Sequence, residues 1–421
     1  MVILLSGNAL TIVASVVVFL FVTILLVILL LYAKKKLMPE GIASVSINKG
    51  ENKFDVDMGG TLLSALSENE IFLPAACGGA GTCGLCRCQI VEGGGAILPT
   101  EVGFFSRKEI RDHWRLACQA KIKNNMEVKV SESALGVKKW ECEVVSNKNV
   151  TTFIKDLILR LPEGEHLNFL AGEYIQFDIP AYELKYTDFN IEKEFHSNWK
   201  KFKMWDLTVK NDEPTVRAYS MANYPAEDEI ILNIRIAIPP FDRSSPTGFK
   251  SVPTGIASSY LFNLKPGDKI TASGPFGDFY PILDSGREMM YIGRGAGMAP
   301  LRSHIFHLLK TLNVRDRKIT YWYEVRSKED IFYEEEFRAL EKEFPNFTFN
   351  LALRMPLPED NWTGYIGLAH DVIYKNYLIN HDAPEDIEYY MCGPSAMAKS
   401  MQTMLNNLGV PDEMIMFDDF G

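Results

Sequence analysis

Four cysteines of the chain have the spacing of an iron-sulfur site. Cys77, Cys83 and Cys86 stand in the stretch PAACGGAGTCGLCRCQI, and Cys118 follows in RLACQ. Three thiolates on one glycine-rich loop can surround a small inorganic cluster, because glycines let backbone N–H groups turn toward the sulfides. A distant fourth cysteine completes the ligand set. The C-x5-C-x2-C…C spacing therefore predicts a [2Fe-2S] cluster and a one-electron carrier.

Two other uses of these cysteines stay open, a structural zinc site and a set of buried free thiols. Zinc sites usually pair their ligands in two short units, whereas here three cysteines crowd into one loop and the fourth stands alone. The loop has one residue more than the plant-type spacing, which resembles the adrenodoxin-type variant. Cys88 follows closely after Cys86. Because a cluster with four ligands has no vacancy, we interpret Cys88 as a packed thiol.

A second motif, R-x-Y-S, ends a β-rich run with Arg217, Tyr219 and Ser220. Alone it is weak, since tyrosine and serine in a strand usually only pack. Its place between the cysteine loop and a βα region makes it stronger, and it resembles the flavin signature of the ferredoxin-NADP⁺ reductase superfamily. The resemblance implies that Arg217 pairs with the FAD diphosphate and that Tyr219 packs on the isoalloxazine. It also implies that Ser220 hydrogen-bonds near N5, where hydride arrives, so Ser220 is a catalytic candidate.

A glycine turn follows the flavin motif along the chain. In the run GIASSY, Gly255 precedes Ser258 and Ser259. A glycine followed by hydroxyls at a helix start would offer N–H and O–H donors to the same diphosphate. The alternative is a plain capped helix. We predict flavin contact because of the sequence context.

A glycine cluster follows the apolar strand MMYI and opens a helix. The run GRGAGMAP contains Gly293, Gly295, Gly297 and Pro300. At such a turn the phosphates of a nicotinamide dinucleotide can approach the backbone at a helix N-terminus. The strand-turn-helix context makes this a predicted NADH site. Arg294 departs from the usual glycine, and it either adds a phosphate partner or points outward.

The run YYMCGP supports the same prediction. In the superfamily it resembles, this turn closes the nicotinamide pocket, which implies cofactor contact for Gly393 and Pro394. The resemblance also places Cys392 beside the hydride-carrying carbon, as a second catalytic candidate; the alternative is a small core residue. The terminal FDDFG resembles the segment that covers the flavin, with Phe420 as the stacking aromatic. An aromatic near a chain end often only packs.

An apolar segment near the N-terminus is long enough to span a membrane. Residues 11–32 carry no charge and, as a helix at about 1.5 Å per residue, span about 33 Å. Lys34, Lys35 and Lys36 follow directly. A basic leading region and a small-residue cleavage site, typical of signal peptides, are missing from the sequence. We predict a membrane anchor over residues 1–36, with the chain after it in the cytoplasm.

The rest of the chain predicts a multidomain protein of α+β and α/β class. Strands around the cysteine loop are typical of a β-grasp ferredoxin domain over 37–133. Regularly spaced strands broken by glycine, proline and asparagine predict an antiparallel β-barrel for FAD over 134–284. Apolar strands alternating with helices predict a parallel-sheet NADH domain over 285–421. The charged and aromatic segment 181–211 lacks periodicity, and we interpret it as an insertion or a long loop.

Length and composition limit the classes of function. The 421 residues have room for two or three domains. A formal net charge of −10 without a basic stripe argues against nucleic-acid binding. Seven cysteines, an odd number, suit a reducing compartment where thiols hold metal rather than form disulfides.

The order of anchor, [2Fe-2S] domain, FAD domain and NADH domain resembles the F-subunit family of the bacterial sodium-translocating NADH:quinone oxidoreductases. The stretches VRAYSMANYP, GRGAGMAPLRSHIF, PEDNWTGY and YYMCGP carry the resemblance. It implies a subunit of the bacterial inner membrane that passes a hydride from NADH to FAD and single electrons to the cluster. Partner membrane subunits would then reduce quinone and expel Na⁺.

Two pairs of residues depart from the pattern of that family. Glu324-Val325 stands where Gly-Ala is usual, and Arg354-Met355 replaces a small polar pair. Glu324 would disfavour a 2′-phosphate if it faced the ribose. The preference for NADH is implied by the resemblance.

Two other functions stay open. A reductase component that delivers electrons from NAD(P)H to an oxygenase has the same three modules, but such components are normally soluble, and the anchor tells against them. A membrane-tethered adaptor stabilised by zinc would have no redox role. Such an adaptor would purify without colour.

Overall fold

The chain folds into two compact units. A computed structural model describes residues 7–37, 41–242, 244–245 and 248–418. Their contacts divide the chain into Met1–Leu73 with Gly79–Gly136, and Pro74–Gly78 with Val137–Gly421.

An apolar helix, α1 (Gly7–Leu37), precedes the first sheet. Its central part, Ile12–Leu30, has a mean hydropathy of 3.3, and none of it is buried. Exposed Leu, Ile, Val and Phe side chains along a whole helix are unfavourable in water and favourable in hydrocarbon. The helix therefore fits the predicted transmembrane anchor.

The first unit contains a five-stranded sheet. Its strand order is β2-β1-β5-β3-β4, with β1 and β5 parallel and the other neighbours antiparallel. Helix α2 begins after Thr61, whose hydroxyl accepts a hydrogen bond from Ser64 N at 3.1 Å and caps the helix. The elements are β1 (Ile42–Ile47), β2 (Asn52–Asp57), α2 (Leu62–Glu68), β3 (Arg87–Glu92), α3 (Arg107–Arg111), β4 (Trp114–Leu116), β5 (Met126–Lys129) and α4 (Glu132–Leu135).

The second unit begins with a six-stranded antiparallel sheet of order β11-β8-β13-β6-β7-β12. Its two outer strands approach each other at one isolated bridge, Met221 to Leu232. The antiparallel sheet agrees with the sequence, and its closure into a barrel stays a prediction. The elements are β6 (Lys138–Thr151), β7 (Ile154–Arg160), β8 (Tyr174–Ile179), β9 (Tyr182–Lys185), α5 (His196–Lys201), β10 (Thr208–Asn211), β11 (Thr215–Ser220), β12 (Ile230–Arg235), α6 (Ile256–Asn263) and β13 (Lys269–Phe276).

The segment 181–211 is an ordered part of this sheet's core, and its interpretation as a long loop was wrong. Strands β9 and β10 pair antiparallel, with α5 between them along the chain. Trp199 is fully buried, and its indole N–H donates to Thr152 O at 2.8 Å. Its ring packs beside Tyr186, Phe189 and Phe262. Aromatic side chains without a regular period can still fill a core when tertiary packing places them.

The second unit ends with a six-stranded sheet in which all neighbours are parallel, as predicted. Helices pack on both faces, so the carboxyl ends of the central strands share one open edge. The elements are β14 (Met289–Arg294), α7 (Met298–Phe306), β15 (Ile319–Val325), α8 (Glu334–Glu343), β16 (Phe347–Leu353), β17 (Tyr365–Ile366), α9 (Ala369–Asn376), β18 (Glu388–Cys392), α10 (Ser395–Asn407) and β19 (Ile415–Asp418).

Candidate functional site

Three of the four predicted cluster ligands lie together in the first unit. The hydrogen bond between the Cys86 and Cys118 thiols is the main cause that raises the pKa of Cys86, and burial raises it further. Cys83 is close enough to raise the same pKa electrostatically. Cys77 is half-buried and belongs to the segment Pro74–Gly78. A thiol whose pKa is raised by neighbouring thiols is suited to a metal site, because a cation reverses that effect and favours the thiolates.

Two glycines of the loop between these cysteines have no room for a side chain. Gly81 has φ +77°, and a Cβ there would lie 2.4 Å from Gln119 Nε2. Gly84 has φ +72°, and a Cβ there would lie 2.4 Å from the Phe104 ring. Both glycines are needed for backbone conformation and for space. A short loop of this kind fits a small inorganic cluster.

The Gln119 side chain reaches one of these sulfurs. Its Nε2 lies 3.8 Å from Cys118 Sγ, and Thr100 Oγ1 donates to its Oε1 at 3.4 Å. The threonine contact orients the amide so that its N–H groups face Cys118. Hydrogen bonds to cluster sulfurs are one of the means by which proteins set the potential.

Cys88 is buried in the core of the first unit, and burial raises its pKa to about 12. Among the described residues, no group of three or more His, Cys, Asp or Glu side chains has the arrangement of a metal-ion site. A [2Fe-2S] cluster divides four thiolates between two irons, so its sulfurs are spread more widely than the ligands of one ion.

Strand β11 carries the flavin motif. The Arg217 guanidinium donates from Nη1 to Thr215 Oγ1 and to Val216 O, both at 2.7 Å. The Tyr219 ring lies 6.0 Å from the Phe177 ring, and burial raises the pKa of its hydroxyl. Because side chains alternate along a strand, Arg217 and Tyr219 share one face of β11 and Ser220 lies on the other.

The two catalytic candidates meet at one carboxylate. Ser220 Oγ donates to Asp418 Oδ2 at 2.9 Å, and Cys392 Sγ donates to the same oxygen at 3.9 Å. Ser220 ends β11, Cys392 ends β18 and Asp418 ends β19. Cys392 is fully buried in the core of the parallel sheet, so both interpretations of it, core residue and site residue, agree with its position.

The glycine turn at residue 255 starts helix α6, but its hydroxyls are used inside the protein. Ser258 Oγ accepts from Ala237 N at 3.1 Å, and Ser259 Oγ shares a 2.9 Å hydrogen bond with Tyr186 OH. These contacts orient both hydroxyls, and the contact of Ser258 and Ser259 with a diphosphate stays a prediction. The first N–H groups of the helix, after Gly255, are the donors that this turn provides.

A cavity of about 540 Å³ adjoins this turn. Three lysines and one aspartate contribute to its lining, together with neutral side chains, so positive charge predominates there. A cavity of this size and charge is suited to a polyanionic group such as a diphosphate. The charged lining residues are Lys203, Lys210, Lys250 and Asp206.

The two glycine motifs of the parallel sheet lie against each other. A Cβ on Gly297 would lie 2.1 Å from Cys392 O, so only glycine allows this approach. Gly295 has φ +58°, and its carbonyl accepts a hydrogen bond from Tyr323 OH at 3.0 Å. The remaining candidates flank these turns: Gly293 in β14, Pro300 in the first turn of α7, Gly393 after β18, and Pro394 as the N-cap of α10.

Neither Glu324 nor Arg294 points freely into solvent. Glu324 is buried, and Arg294 Nε lies 3.3 Å from Glu324 Oε1. Because the carboxylate is buried and paired with an arginine, it does not stand free to repel the 2′-phosphate of NADPH.

Phe420, the candidate flavin-stacking aromatic, lies outside the described residues. The preceding residues form β19, parallel to β18. Sequence reasoning missed Asp418 and Gln119. Asp418 lies in the FDDFG segment, which the resemblance to the superfamily already indicated as part of the flavin site. For Gln119, the only indication in the sequence was its position next to Cys118.

Three domain families match the chain. They are described as a 2Fe-2S iron-sulfur cluster binding domain at residues 45–123, an oxidoreductase FAD-binding domain at 196–280 and an oxidoreductase NAD-binding domain at 291–403.

Relatives of known name cover nearly the whole chain. The F subunit of the Na(+)-translocating NADH-quinone reductase of Neisseria meningitidis serogroup B is 51% identical over 411 residues, which is 97% of this chain and 99% of the relative. The F subunit of the same name from Methylococcus capsulatus is 52% identical over 390 residues, covering 92% of this chain and 94% of the relative.

Solved structures share the fold at lower identity. A cytochrome P450 reductase of Amycolatopsis has a TM-score of 0.61 at 23% identity, covering 90% of this chain and 98% of its own. A ferredoxin reductase in carbazole 1,9a-dioxygenase has a TM-score of 0.56 at 23% identity, covering 91% of this chain and 99% of its own. At these identities the likeness shows the fold alone.

Proposed function

The chain belongs to the family of Na(+)-translocating NADH-quinone reductase F subunits, and from this we propose that it feeds electrons to membrane partner subunits that reduce quinone and export Na⁺. The observation that carries the proposal is the similarity over nearly the full length, apolar helix included. The alternative is a reductase that serves an oxygenase. It is less supported, because the relatives that match over nearly the full length are named as F subunits of Na(+)-translocating NADH-quinone reductases.

The chain is an oxidoreductase subunit for electron input from NADH through FAD to a [2Fe-2S] cluster. Bound FAD would supply the conversion of a two-electron hydride into single electrons, and a bound [2Fe-2S] cluster would supply a carrier for one electron at a time. The chain's own residues must bind these groups, orient them and exclude water between them.

We assign Cys77, Cys83, Cys86 and Cys118 as the ligands of the cluster. The glycine-rich loop and the shared environment of three of these thiols support this assignment. Gln119 adds a polar contact at the sulfur of Cys118.

We assign Arg217, Tyr219 and the Gly255 turn to FAD, and the two glycine motifs to NADH. The backbone N–H groups at the start of α6 and the lysine-lined cavity beside them suit a diphosphate. At the parallel sheet, the close approach of Gly297 to Cys392 leaves a narrow turn at the open edge. Phe420 remains the candidate that stacks on the flavin.

Ser220 and Cys392 are the proposed catalytic residues, with Asp418 as the group that orients both. The carboxylate accepts the Ser220 hydroxyl hydrogen, so the serine oxygen keeps lone pairs directed away from Asp418. Both candidates are buried, which keeps water from the space between them. A fixed, dry geometry favours hydride transfer over side reactions.

We propose further that α1 anchors the chain in the bacterial inner membrane, with all three domains on the cytoplasmic side. Its apolar stretch Ile12–Leu30 is followed by three lysines, which favour the cytoplasm. The proposed domain boundaries are 1–36, 37–133, 134–284 and 285–421.

The decisive experiment is purification of the full-length chain from its native membranes. We expect it to bring other membrane subunits with it, and we expect the complex to reduce quinone with NADH at a rate that rises with Na⁺. A chain that oxidises NADH but purifies without partners, and shows no dependence on Na⁺, contradicts the proposal. A fragment without residues 1–36 should still reduce a soluble dye with NADH, yet should not restore quinone reduction to membranes that lack the parent chain.

A further inference from the structure

Arg294 lies between the two turns assigned to NADH. It ends strand β14, immediately before Gly295, and its side chain is 26% exposed. A Cβ built on Gly393 would lie 3.3 Å from Arg294 Cβ, so the arginine also borders the turn after β18. In open parallel sheets, ligands bind in the crevice outside the carboxyl ends of the strands, where this residue is found.

Glu324 holds the arginine in place. Its side chain is 2% exposed, and its Oε1 lies 3.3 Å from Arg294 Nε. Its other oxygen, Oε2, accepts a hydrogen bond from Ala369 N at 2.7 Å, at the start of α9. One oxygen of this buried carboxylate is hydrogen-bonded to the backbone, and the other faces the arginine as an ion pair, so the carboxylate positions its partner. The contact uses Nε, and the two terminal nitrogens carry the remaining N–H donors of the guanidinium.

Positive charge predominates around this pair. Arg354 follows β16, Arg235 ends β12, and both act electrostatically on Arg294. Burial is the main cause that lowers the pKa of Arg294, Glu324 opposes it, and the two arginines lower it further. Arg294 therefore lies under the influence of two further arginines, while Asp330 acts on one of them, Arg235. An anion is the group that this edge of the sheet attracts.

We propose that Arg294, anchored by Glu324, binds the diphosphate of the nicotinamide dinucleotide. The proposal rests on the assignment of the two glycine turns to NADH. A diphosphate carries two negative charges, and a guanidinium can donate two parallel hydrogen bonds to one phosphate group. Glu324 then acts as a positioning residue, which contacts the arginine and not the ribose.

The test is steady-state kinetics of NADH oxidation with a dye acceptor, on the full-length protein with FAD bound. Arg294→Gln should raise KM for NADH about tenfold to 100-fold and leave kcat within about twofold, because the lost charge-assisted hydrogen bonds serve binding and not the chemical step. Competitive inhibition by ADP-ribose, which contains the diphosphate without nicotinamide, should weaken by the same factor. Inhibition by adenosine, which lacks phosphate, should not change.

A second variant separates binding from folding. Arg294→Gln alone leaves the buried Glu324 without its arginine, which can destabilise the fold. The double variant Arg294→Gln with Glu324→Gln removes both charges, so an unpaired buried charge no longer arises. Its flavin absorbance and thermal unfolding should match the parent while KM stays raised. The matched control is Arg338→Gln, an arginine of α8 paired with Glu334 and Glu341 in the same sheet domain.

Each result decides the proposal. A raised KM for NADH and a weakened effect of ADP-ribose in the double variant, with an unchanged control, support it. A KM for NADH and an inhibition by ADP-ribose that equal those of the parent overturn it. A rise in KM confined to NADPH also overturns it, because that result would assign the arginine to a 2′-phosphate. If the parent protein itself does not oxidise NADH, the assigned NADH site fails instead.

Discussion

Ser220 and Asp418 are hydrogen-bonded at 2.9 Å although 198 positions separate them in the chain. The serine ends a strand of the antiparallel sheet and the aspartate ends the last strand of the parallel sheet. The same carboxylate oxygen accepts from Cys392 Sγ at 3.9 Å. One acidic side chain therefore joins the flavin motif to the nicotinamide motif.

Removal of this carboxylate should slow hydride transfer. In Asp418→Ala, the Ser220 hydroxyl loses its acceptor and rotates, and misplacement of a group at a reacting centre costs about 100-fold in rate. We expect flavin reduction at saturating NADH, followed by stopped-flow absorbance, to slow by about tenfold to 100-fold with FAD still bound. Asp412→Ala, an exposed aspartate shortly before β19, should behave like the parent. An unchanged rate in Asp418→Ala would remove Asp418 from the site.

The cluster cysteines can be separated from the packed one. Cys83→Ala should abolish the broad iron-sulfur absorption and the electron paramagnetic resonance signal of the reduced cluster. NADH-to-dye activity through FAD should persist, because it does not need the cluster. Cys88→Ala should keep the cluster signal, because the four proposed ligands complete the set without Cys88. If Cys83→Ala loses the NADH-to-dye activity as well as the cluster signal, the cluster is needed to stabilise the fold.

Gln119 should raise the reduction potential of the cluster. An N–H group directed at a ligand sulfur stabilises the reduced, more negative state. Gln119→Leu removes a hydrogen bond worth about 1 kcal/mol, equivalent to about 40 mV for one electron, so the midpoint should become more negative. Redox titration followed by electron paramagnetic resonance measures it. Thr100→Val, which frees the amide without removing it, should shift the midpoint in the same direction by less; equal potentials in all three proteins would contradict this role.

A buried carboxyl in the second unit should make stability depend on pH. Burial raises the pKa of Asp156 from 3.8 to about 6, against hydrogen bonds from Tyr333 OH and Asn233 Nδ2 that lower it. Folding therefore favours the protonated form, and this contribution is complete below pH 3.8 and lost as pH rises through about 6. The loss amounts to about 3 kcal/mol at most.

Asp156→Asn should remove this pH dependence. We expect the free energy of unfolding of the variant, relative to the parent, to increase between pH 4 and pH 7, as measured by denaturant unfolding at each pH. Asp178→Asn, a half-exposed aspartate paired with Lys139, serves as the control. A constant difference between Asp156→Asn and the parent across this range would show that Asp156 does not titrate as described.

Local patterns in the sequence were sufficient for the architecture and the classes of cofactor. The charge-free stretch, the cysteine spacing and the strand-turn-helix glycine cluster each lie within a short segment, so backbone geometry and residue type determine their meaning. The parallel sheet of the last part was predicted for the same reason. The interpretation of segment 181–211 as a long loop was wrong, because its aromatic side chains follow no period of a helix or strand although they pack in a core around Trp199.

The sequence by itself determined that this chain combines a long apolar helix, a cysteine loop for an iron-sulfur cluster, a flavin motif and a dinucleotide motif. Only the tertiary structure decided that Asp418 meets Ser220, that Glu324 holds Arg294 and that Ser258 and Ser259 bond inward. The physical reason is that a motif depends on neighbours along the chain. A hydrogen bond or ion pair between distant residues depends instead on how strands and helices pack, which no short pattern encodes.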